Sequence, residues 1–568
     1  MNILELEIEN FRGIKNAKIT FPQGPKMLCI IGPGDSTKST ILKALEWLTW
    51  PTYNIKITDA DFYDGNTGND IVIRGTFVGI VDEFMKEDKY GLMLRRPGVI
   101  YDGVSDDEPA DDEPQCLSVQ LTINDSLEPR WEVICNRLDP KAFGVWDRQK
   151  VGVSIIGQSV AKDMSWGSNS VLQKYISSKD VFRDSYTKAM RDVMGGVAMP
   201  ELDKSTAIIP SIVAKYGVAL CDNLRNHVLL HNSSSSSEVV LSDSFAPLAQ
   251  LGTGSQRLTS IGLNIAASQG NNVLLIDEIE TGLEPYRIKN MIKLFRSSEN
   301  TSQVIMTTHS PAVIINCNIE EILVVRSENG ITTSIVLRDD DENVNNEMQK
   351  QLRKNPEAFL SRKILVAEGR TEMGLLRSMD KHSIDADYDF AYNGVEIADG
   401  VGSNFSKCAN VFRKCGYDVG VLLDADASNA NKHKEKLIAN GVKIFDWGDG
   451  NATENQIFLD VPLDMLNDLI KVAVECRGFN KVLEDLERNE LHFPMDSDKK
   501  IIGVSDDSAE NRKKIGNAAK CGEWFKKIDR GEKMGDVIFS GFDSIRKDTM
   551  LYKVLSSVKT WIKGDGRE

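Results

Sequence analysis

An α/β fold is predicted, in two successive domains, each built on its own sheet. Two observations predict it. Short apolar runs such as Met27–Ile31, Val273–Ile276, Lys363–Ala367 and Val419–Leu423 have the length and texture of buried strands, and helix-patterned segments separate them. A charged, asparagine-rich patch, Asp339–Asn346, divides the first set of runs from the second and is taken as the main boundary. The length of 568 residues allows three to four average domains or two large composite ones, and is ample for burying a core.

Taken in order, Ile3–Ile8 alternates apolar and acidic residues, as a half-buried strand does. Met27–Ile31 ends in a glycine turn, and Thr40–Trp50 follows with helical spacing. Asp106–Pro114, DDEPADDEP, reads as a solvated acidic loop, and Ser233–Ser237 as a flexible one. A helix is expected over Lys179–Met194. Further strands are expected at Gln303–Met306 and Glu321–Val325. The stretch from Lys499 to Glu568 is net basic within an acidic chain.

Composition narrows the function classes. A net charge of −16, from 68 basic and 84 acidic residues, excludes a small basic nucleic-acid coat protein but not a local basic surface. No apolar run approaches the ~20 residues of a membrane span, and Met1–Gly13 has no signal-peptide pattern. The nine cysteines include no Cys-x-x-Cys pair, so neither a zinc ribbon nor a disulfide scaffold is indicated, and a reducing cytoplasm is the expected compartment.

Gly32-Pro33-Gly34-Asp35-Ser36-Thr37-Lys38-Ser39 lies between an expected strand and an expected helix opening at Thr40, the context of a phosphate-binding loop. Backbone N–H groups and the helix N-terminus attract phosphate. Lys38 would reach the β/γ-phosphates and Ser39 would place its hydroxyl on Mg²⁺. Thr37 replaces the usual second glycine, where a side chain crowds the phosphates or restricts the backbone. The strand Val273–Ile276 ends in Asp277 and Glu278, suited to supporting Mg²⁺ and polarising a water. His309, after the next strand, is placed to sense a γ-phosphate, against the plainer reading of a structural histidine. Leu251–Arg257 combines glycines with Ser255 at a helix start, where it could bind the γ-phosphate of a nucleotide held by a second subunit.

In the second half, Glu368-Gly369-Arg370-Thr371-Glu372 follows a strand, and the next strand ends in Asp424-Ala425-Asp426. If the two strands are parallel neighbours, Glu368, Asp424 and Asp426 gather beyond the strand carboxyl ends, where open α/β sheets place ligands. Carboxylates that close call for hard cations, Mg²⁺ or Mn²⁺, and two ions ~4 Å apart can stabilise both oxygens of a phosphodiester displacement.

The order of phosphate loop, Leu251–Arg257 loop, Asp-Glu strand and histidine resembles the ATP-binding-cassette ATPases of the RecF, Rad50 and SMC type, as do Asn10-Phe11-Arg12-Gly13 at the start and Gly282–Pro285. The resemblance implies ATP bound by Arg12, Gly32, Gly34, Lys38, Ser39, Thr40, Asp277, His309 and, across a homodimer, Ser255. The second half resembles a Toprim domain. This implies Glu368, Asp424 and Asp426 as metal-binding and catalytic residues, with Glu372 as a second acid and Asp399, in the glycine-rich turn Asp399–Gly402, as a further ligand. Glu454 is either another ligand or a helix-cap acid. Lys514, or after it Lys513, would supply a transition-state cation, unless that basic helix only touches a DNA backbone.

The whole chain resembles the OLD (overcoming lysogenization defect) nucleases: an ABC-type ATPase head at 1–345, with a helical dimerisation insertion about 165–240, and a Toprim domain with a helical C-terminal part at 346–568. That resemblance implies an ATP-regulated, Mg²⁺- or Mn²⁺-dependent DNA endonuclease without a covalent intermediate. It also implies a role in bacterial anti-phage defence, alone or beside a helicase or a retron reverse transcriptase with its DNA. An ATP-switched scaffold without nuclease activity, or a topoisomerase- or primase-like enzyme, remain the alternatives.

Overall fold

The apolar–acidic alternation at the N-terminus forms the strand Asn2–Phe11, with Ile3, Leu6, Ile8 and Phe11 buried. It does so in a computed structural model describing residues 1–52, 54–110, 113–156, 172, 200–218, 220, 224–229, 238–243, 246–267, 272–297, 301–384, 386–424, 428–448, 450–493, 503–504 and 506–564. The expected helix 179–194 and the serine run 233–237 lie outside these residues.

The chain divides into two compact units, Met1–Arg338 and Asp339–Glu568. The sequence reading set the division a few residues later, at 345/346. The difference arises because the asparagine-rich patch belongs to the helix Glu342–Lys354, which packs on the helix Phe405–Lys414 of the second unit.

The first unit holds a 12-stranded sheet. Its nucleotide half is parallel, in the order Ile322–Glu328, Met27–Ile31, Thr301–Thr307, Asn272–Ile276, Val153–Ile156. All five residues of Met27–Ile31 are buried, which is why that run is uninterruptedly apolar. The helix Lys38–Leu48 follows it and buries Ile41, Leu42, Leu45 and Leu48. The region expected as a helical insertion contains the helices Pro200–Thr206 and Ile209–Ala214, but also the antiparallel pair Leu224–Leu229 and Glu238–Asp243. The acidic loop is only partly solvated. Asp107 is completely buried, paired with Arg95 at 2.7 Å and Arg137 at 2.7 Å, and it accepts from the Asn136 N–H. A buried charge needs partners of this kind, and they lie too far along the chain for charge density alone to reveal them.

The second unit is a four-stranded, all-parallel sheet in the order Val395–Asp399, Lys363–Ala367, Asp418–Leu423, Lys443–Asp446. The C-terminal stretch is helical, as expected: Ala509–Cys521, Ile528–Ser540 and Met550–Lys563. The helix Arg370–Lys381, which opens just after Glu368, packs tightly on Ile528–Ser540. A Cβ on Gly374 would lie 2.5 Å from the Ile528 carbonyl and 2.6 Å from the Gly531 Cα, so only glycine permits this approach. Gly374→Val should cost about 1–3 kcal/mol through overpacking. Thermal unfolding should show it as a lowered transition; an unchanged transition would contradict the packing.

Candidate functional site: a phosphate loop and a carboxylate pair

In the first unit, Lys38 opens its helix immediately after the loop, and its ammonium is folded back onto it. It donates to the carbonyls of Gly32 (3.0 Å) and Pro33 (2.8 Å) and to Ser36 Oγ (3.0 Å). It is buried, and burial lowers its pKa to about 8 against the opposing pull of Asp35, Asp277 and Glu280. A buried cation held by carbonyls in a loop of N–H groups fits a phosphate chain. Gly32 must be glycine, because a Cβ there would lie 2.2 Å from the Val325 carbonyl. Thr37 takes the left-handed conformation (φ 62°) that the missing glycine would adopt freely. Hydrogen bonds from its hydroxyl to the Ser36 carbonyl (2.7 Å) and with Thr332 Oγ1 (3.0 Å) offset that strain and turn the side chain into the protein.

Ser39 Oγ donates to Asp277 Oδ1 at 2.9 Å, so hydroxyl and carboxylate meet where the sequence placed a nucleotide-bound Mg²⁺. Thr307 Oγ1 donates to the same oxygen at 2.6 Å. The buried Arg257 donates to the carbonyls of Asp277 and Glu278 and fixes the turn that leaves the strand. Glu280, which sequence reasoning missed, accepts from Thr308 Oγ1 (2.7 Å) and from the His309 N–H (2.6 Å). The His309 pKa is lowered, first by burial and then by the Lys38 ammonium, so its ring is neutral near pH 7 and close to that charge. The Arg12 guanidinium pairs with Asp61 at 2.9 Å, and a Cβ on the next residue, Gly13, would lie 3.5 Å from Thr37 Cγ2 of the loop. Ser255 lies on the first turn of the helix Thr253–Ala267, beside Gly254, whose Cα lies so close to Gly282 that a Cβ would clash with the Gly282 carbonyl. The Leu251–Arg257 and Gly282–Pro285 segments therefore meet.

In the second unit the strands of Glu368 and Asp424 are parallel neighbours, with Ala367 opposite Leu422. The Asp424 N–H donates to Glu368 Oε2 at 2.7 Å, and the Thr453 N–H donates to Asp424 Oδ1 at 3.1 Å. Glu372 turns back as a cap. It accepts from the Gly369 N–H (3.0 Å) and from Thr453 Oγ1 (2.6 Å). Glu454 is buried and accepts from Thr371 Oγ1 at 3.2 Å; burial, and then the charge of Glu372, raise its pKa to about 7. Asp399 pairs with Lys354 at 3.1 Å and accepts from the Val401 N–H. The turn it starts covers the Glu368 strand, with Gly400 N–H donating to Ala367 and Gly402 N–H to Glu368.

Glu368, Asp424, Glu372 and Glu454 are therefore brought into one linked cluster. Asp426 lies outside the described residues. Among the described residues no set of three acidic, histidine or cysteine groups converges in metal-holding geometry, because Glu372 and Glu454 are turned onto threonines. Glu368 and Asp424 are half-buried and offer carboxylate oxygens, the hard ligands that Mg²⁺ and Mn²⁺ prefer, so the donor chemistry fits such ions. Lys514 is not directed to this cluster: its ammonium pairs with Glu490 (3.4 Å) and Glu510 (3.3 Å). Lys513 is exposed on the same helix. Lys526 is the cation whose charge acts on Glu454. Thr371 and Thr453, also missed, adjoin acids that the sequence reading had selected.

Two pH dependences follow. Phosphates bind the charged form of Lys38, so nucleotide affinity should weaken above about pH 8, by up to about tenfold per unit. Equilibrium binding of a fluorescent ATP analogue should show this, and Lys38→Ala should be weak and flat across the range; a flat wild-type profile would contradict it. Folded Glu454 retains its proton to a higher pH than an unfolded glutamate. Stability of the metal-free protein should therefore fall as pH rises from 4.5 to about 7. Glu454→Gln should remove that slope in denaturant titrations; an unaltered slope would contradict it.

Three family models match parts of the chain. A family model for "AAA ATPase domain" matches residues 1–98, and one for "AAA domain, putative AbiEii toxin, Type IV TA system" matches 180–316. The model "Overcoming lysogenization defect protein-like, TOPRIM domain" matches 359–426, the span from before Glu368 through Asp426. No curated protein sequence matches the chain. Among solved structures, an Smc head bound to the C-winged helix domain of ScpA shares 15% identity, covers 60% of this chain and 98% of its own, and has a TM-score of 0.38. The SMC head domain from Thermotoga maritima shares 12% identity over 60% of this chain and 100% of its own, with a TM-score of 0.32. With its phosphate loop in one unit and its carboxylate pair in the other, the chain carries AAA ATPase-type domains followed by an OLD-like TOPRIM domain.

Proposed function

We propose that the chain is an ATP-regulated, divalent-metal-dependent DNA endonuclease, acting as a homodimer or higher oligomer. One observation carries the reading: the Asp424 N–H on Glu368 Oε2 at 2.7 Å, which joins carboxylates of two parallel strands inside an OLD-like TOPRIM match. Glu368 and Asp424, with Asp426, would hold one or two Mg²⁺ or Mn²⁺ ions, which when bound supply Lewis-acid stabilisation of a phosphodiester.

The chain's own residues prepare this site. The Asp424 and Thr453 N–H groups orient the two carboxylates, and Thr453 Oγ1 keeps Glu372 turned onto the helix start. Glu454, half-protonated near neutrality, keeps negative charge from accumulating behind them. In the ATPase unit Lys38 would exchange its loop carbonyls for phosphate oxygens, Ser39 and Asp277 would hold Mg²⁺, and Glu278 would orient water. Ser255, on the first turn of its helix, would complete the nucleotide site of a second copy. An effector role in anti-phage defence belongs to the same reading and rests on the family resemblance.

Nicking of supercoiled plasmid in Mg²⁺ or Mn²⁺ tests the reading. Asp424→Ala and Glu368→Gln should each lose more than about 100-fold in rate, beyond the cost of losing an outer-shell partner. Cleavage at the wild-type rate by either folded variant would reject the site. Lys38→Ala should cleave without response to ATP; an intact response would reject the regulatory half.

A further inference from the structure

Within the second unit a groove of about 1120 Å³ lies between the helices Glu342–Lys354, Phe405–Lys414 and Ser428–Ala439. Five cations line it: Lys350, Lys407, Arg413, Lys414 and Lys436, against only Asp341 and Glu347. This concentration of positive charge lies in a chain whose net charge is −16. We propose that the groove holds one strand of single-stranded nucleic acid and leads it to the Glu368/Asp424 edge. The proposal rests on the nuclease reading and adds where the substrate strand runs.

The direction of the groove supports this. Lys354, one turn beyond Lys350, donates to the Asp399 carbonyl at 3.2 Å, and Asp399 ends its strand directly opposite Ala367. The strand carboxyl ends, with the carboxylate pair, therefore lie beyond Lys350, about one helical turn past that end of the groove. At the other end Arg413 donates to the carbonyls of Tyr417 (3.1 Å) and Asn440 (3.1 Å), just before the strand Asp418–Leu423 begins. The helix between these ends has ten residues and is about 15 Å long, enough for a few nucleotides of extended strand.

The lining also suits nucleic acid. Lys407 and Lys436 are exposed and form no ion pair with any described residue, so they are available to phosphates. Lys350 and Lys414 are engaged only by partly exposed partners, Glu347 and Asp339, in ion pairs that contribute little. Asparagine amides at 343, 346, 410 and 440 lie among the cations and can bond base edges.

The test is fluorescence anisotropy of a labelled 12-nucleotide oligothymidylate with the full-length protein in EDTA, across a salt series. Lys407→Ala/Lys436→Ala should bind about tenfold more weakly. Its log–log salt slope should be shallower by about 1.4, two phosphate contacts at about 0.7 each on a single strand. An unchanged thermal transition and unchanged ATP binding establish that the variant is folded. Wild-type affinity and slope in that variant would overturn the proposal. So would displacement of the oligonucleotide by oligoglutamate of equal charge at equal concentration, which would identify an acidic protein partner instead. Asp424→Ala should bind the oligonucleotide as the wild type does. Cleavage by Asp424→Ala would defeat the nuclease reading alone, and wild-type binding by the double variant would defeat the groove alone.

Discussion

The parallel register of Lys363–Ala367 beside Asp418–Leu423 is the constraint on which the second unit's chemistry depends. Both strands are apolar along nearly their whole length because both faces are covered, and each emerges from the sheet into an acid. The register carries Glu368 level with Leu423, one position before Asp424, and the Asp424 N–H then locks onto Glu368. Two carboxylates held this close repel unless a proton, a donor or a cation intervenes. Here backbone donors intervene, the Asp424 N–H on Glu368 and the Thr453 N–H on Asp424. Behind them, Glu372 and Glu454 are restrained by Thr453 and Thr371, and Glu454 escapes repulsion by keeping its proton toward neutrality.

The first unit uses the same architectural rule for a different end. Its parallel strands deliver the phosphate loop after Ile31, the Asp277–Glu280 turn after Ile276 and His309 after Thr307 to a common edge. Here the dominant charge is a cation, Lys38, buried and depressed toward pH 8 until phosphates replace its carbonyl partners. On the proposed function one edge would take phosphate and the other a metal ion. The chain needs both if nucleotide binding is to control a metal-dependent reaction.

Much of this was legible in the sequence for a physical reason: a buried parallel strand is a continuous apolar run, and functional acids stand at its end. Met27–Ile31 and Lys363–Ala367 have the expected bounds, and Asp277, Glu368 and Asp424 lie where an apolar run stops. What escaped was set by pairing between distant residues. Thr453 meets Glu372 across 81 positions, and Asp107 is buried only because Arg95 and Arg137 reach it. Glu280 stands two residues beyond the pair that ends its strand, and its role appears only when the turn folds it toward His309. Lys514 was chosen for its charge, and its ammonium pairs with two exposed glutamates, Glu490 and Glu510. Thr37 broke the glycine pattern, yet it adopts the glycine conformation and directs its hydroxyl to Thr332.

The central claim is that Glu368 and Asp424 form one cation site. Titration of Mn²⁺ into the nucleotide-free protein, followed by loss of the free-ion EPR signal, measures it most directly. The account predicts uptake by the wild type and at least about tenfold weaker uptake in a folded Glu368→Gln/Asp424→Asn variant. Equal uptake by both proteins would contradict it.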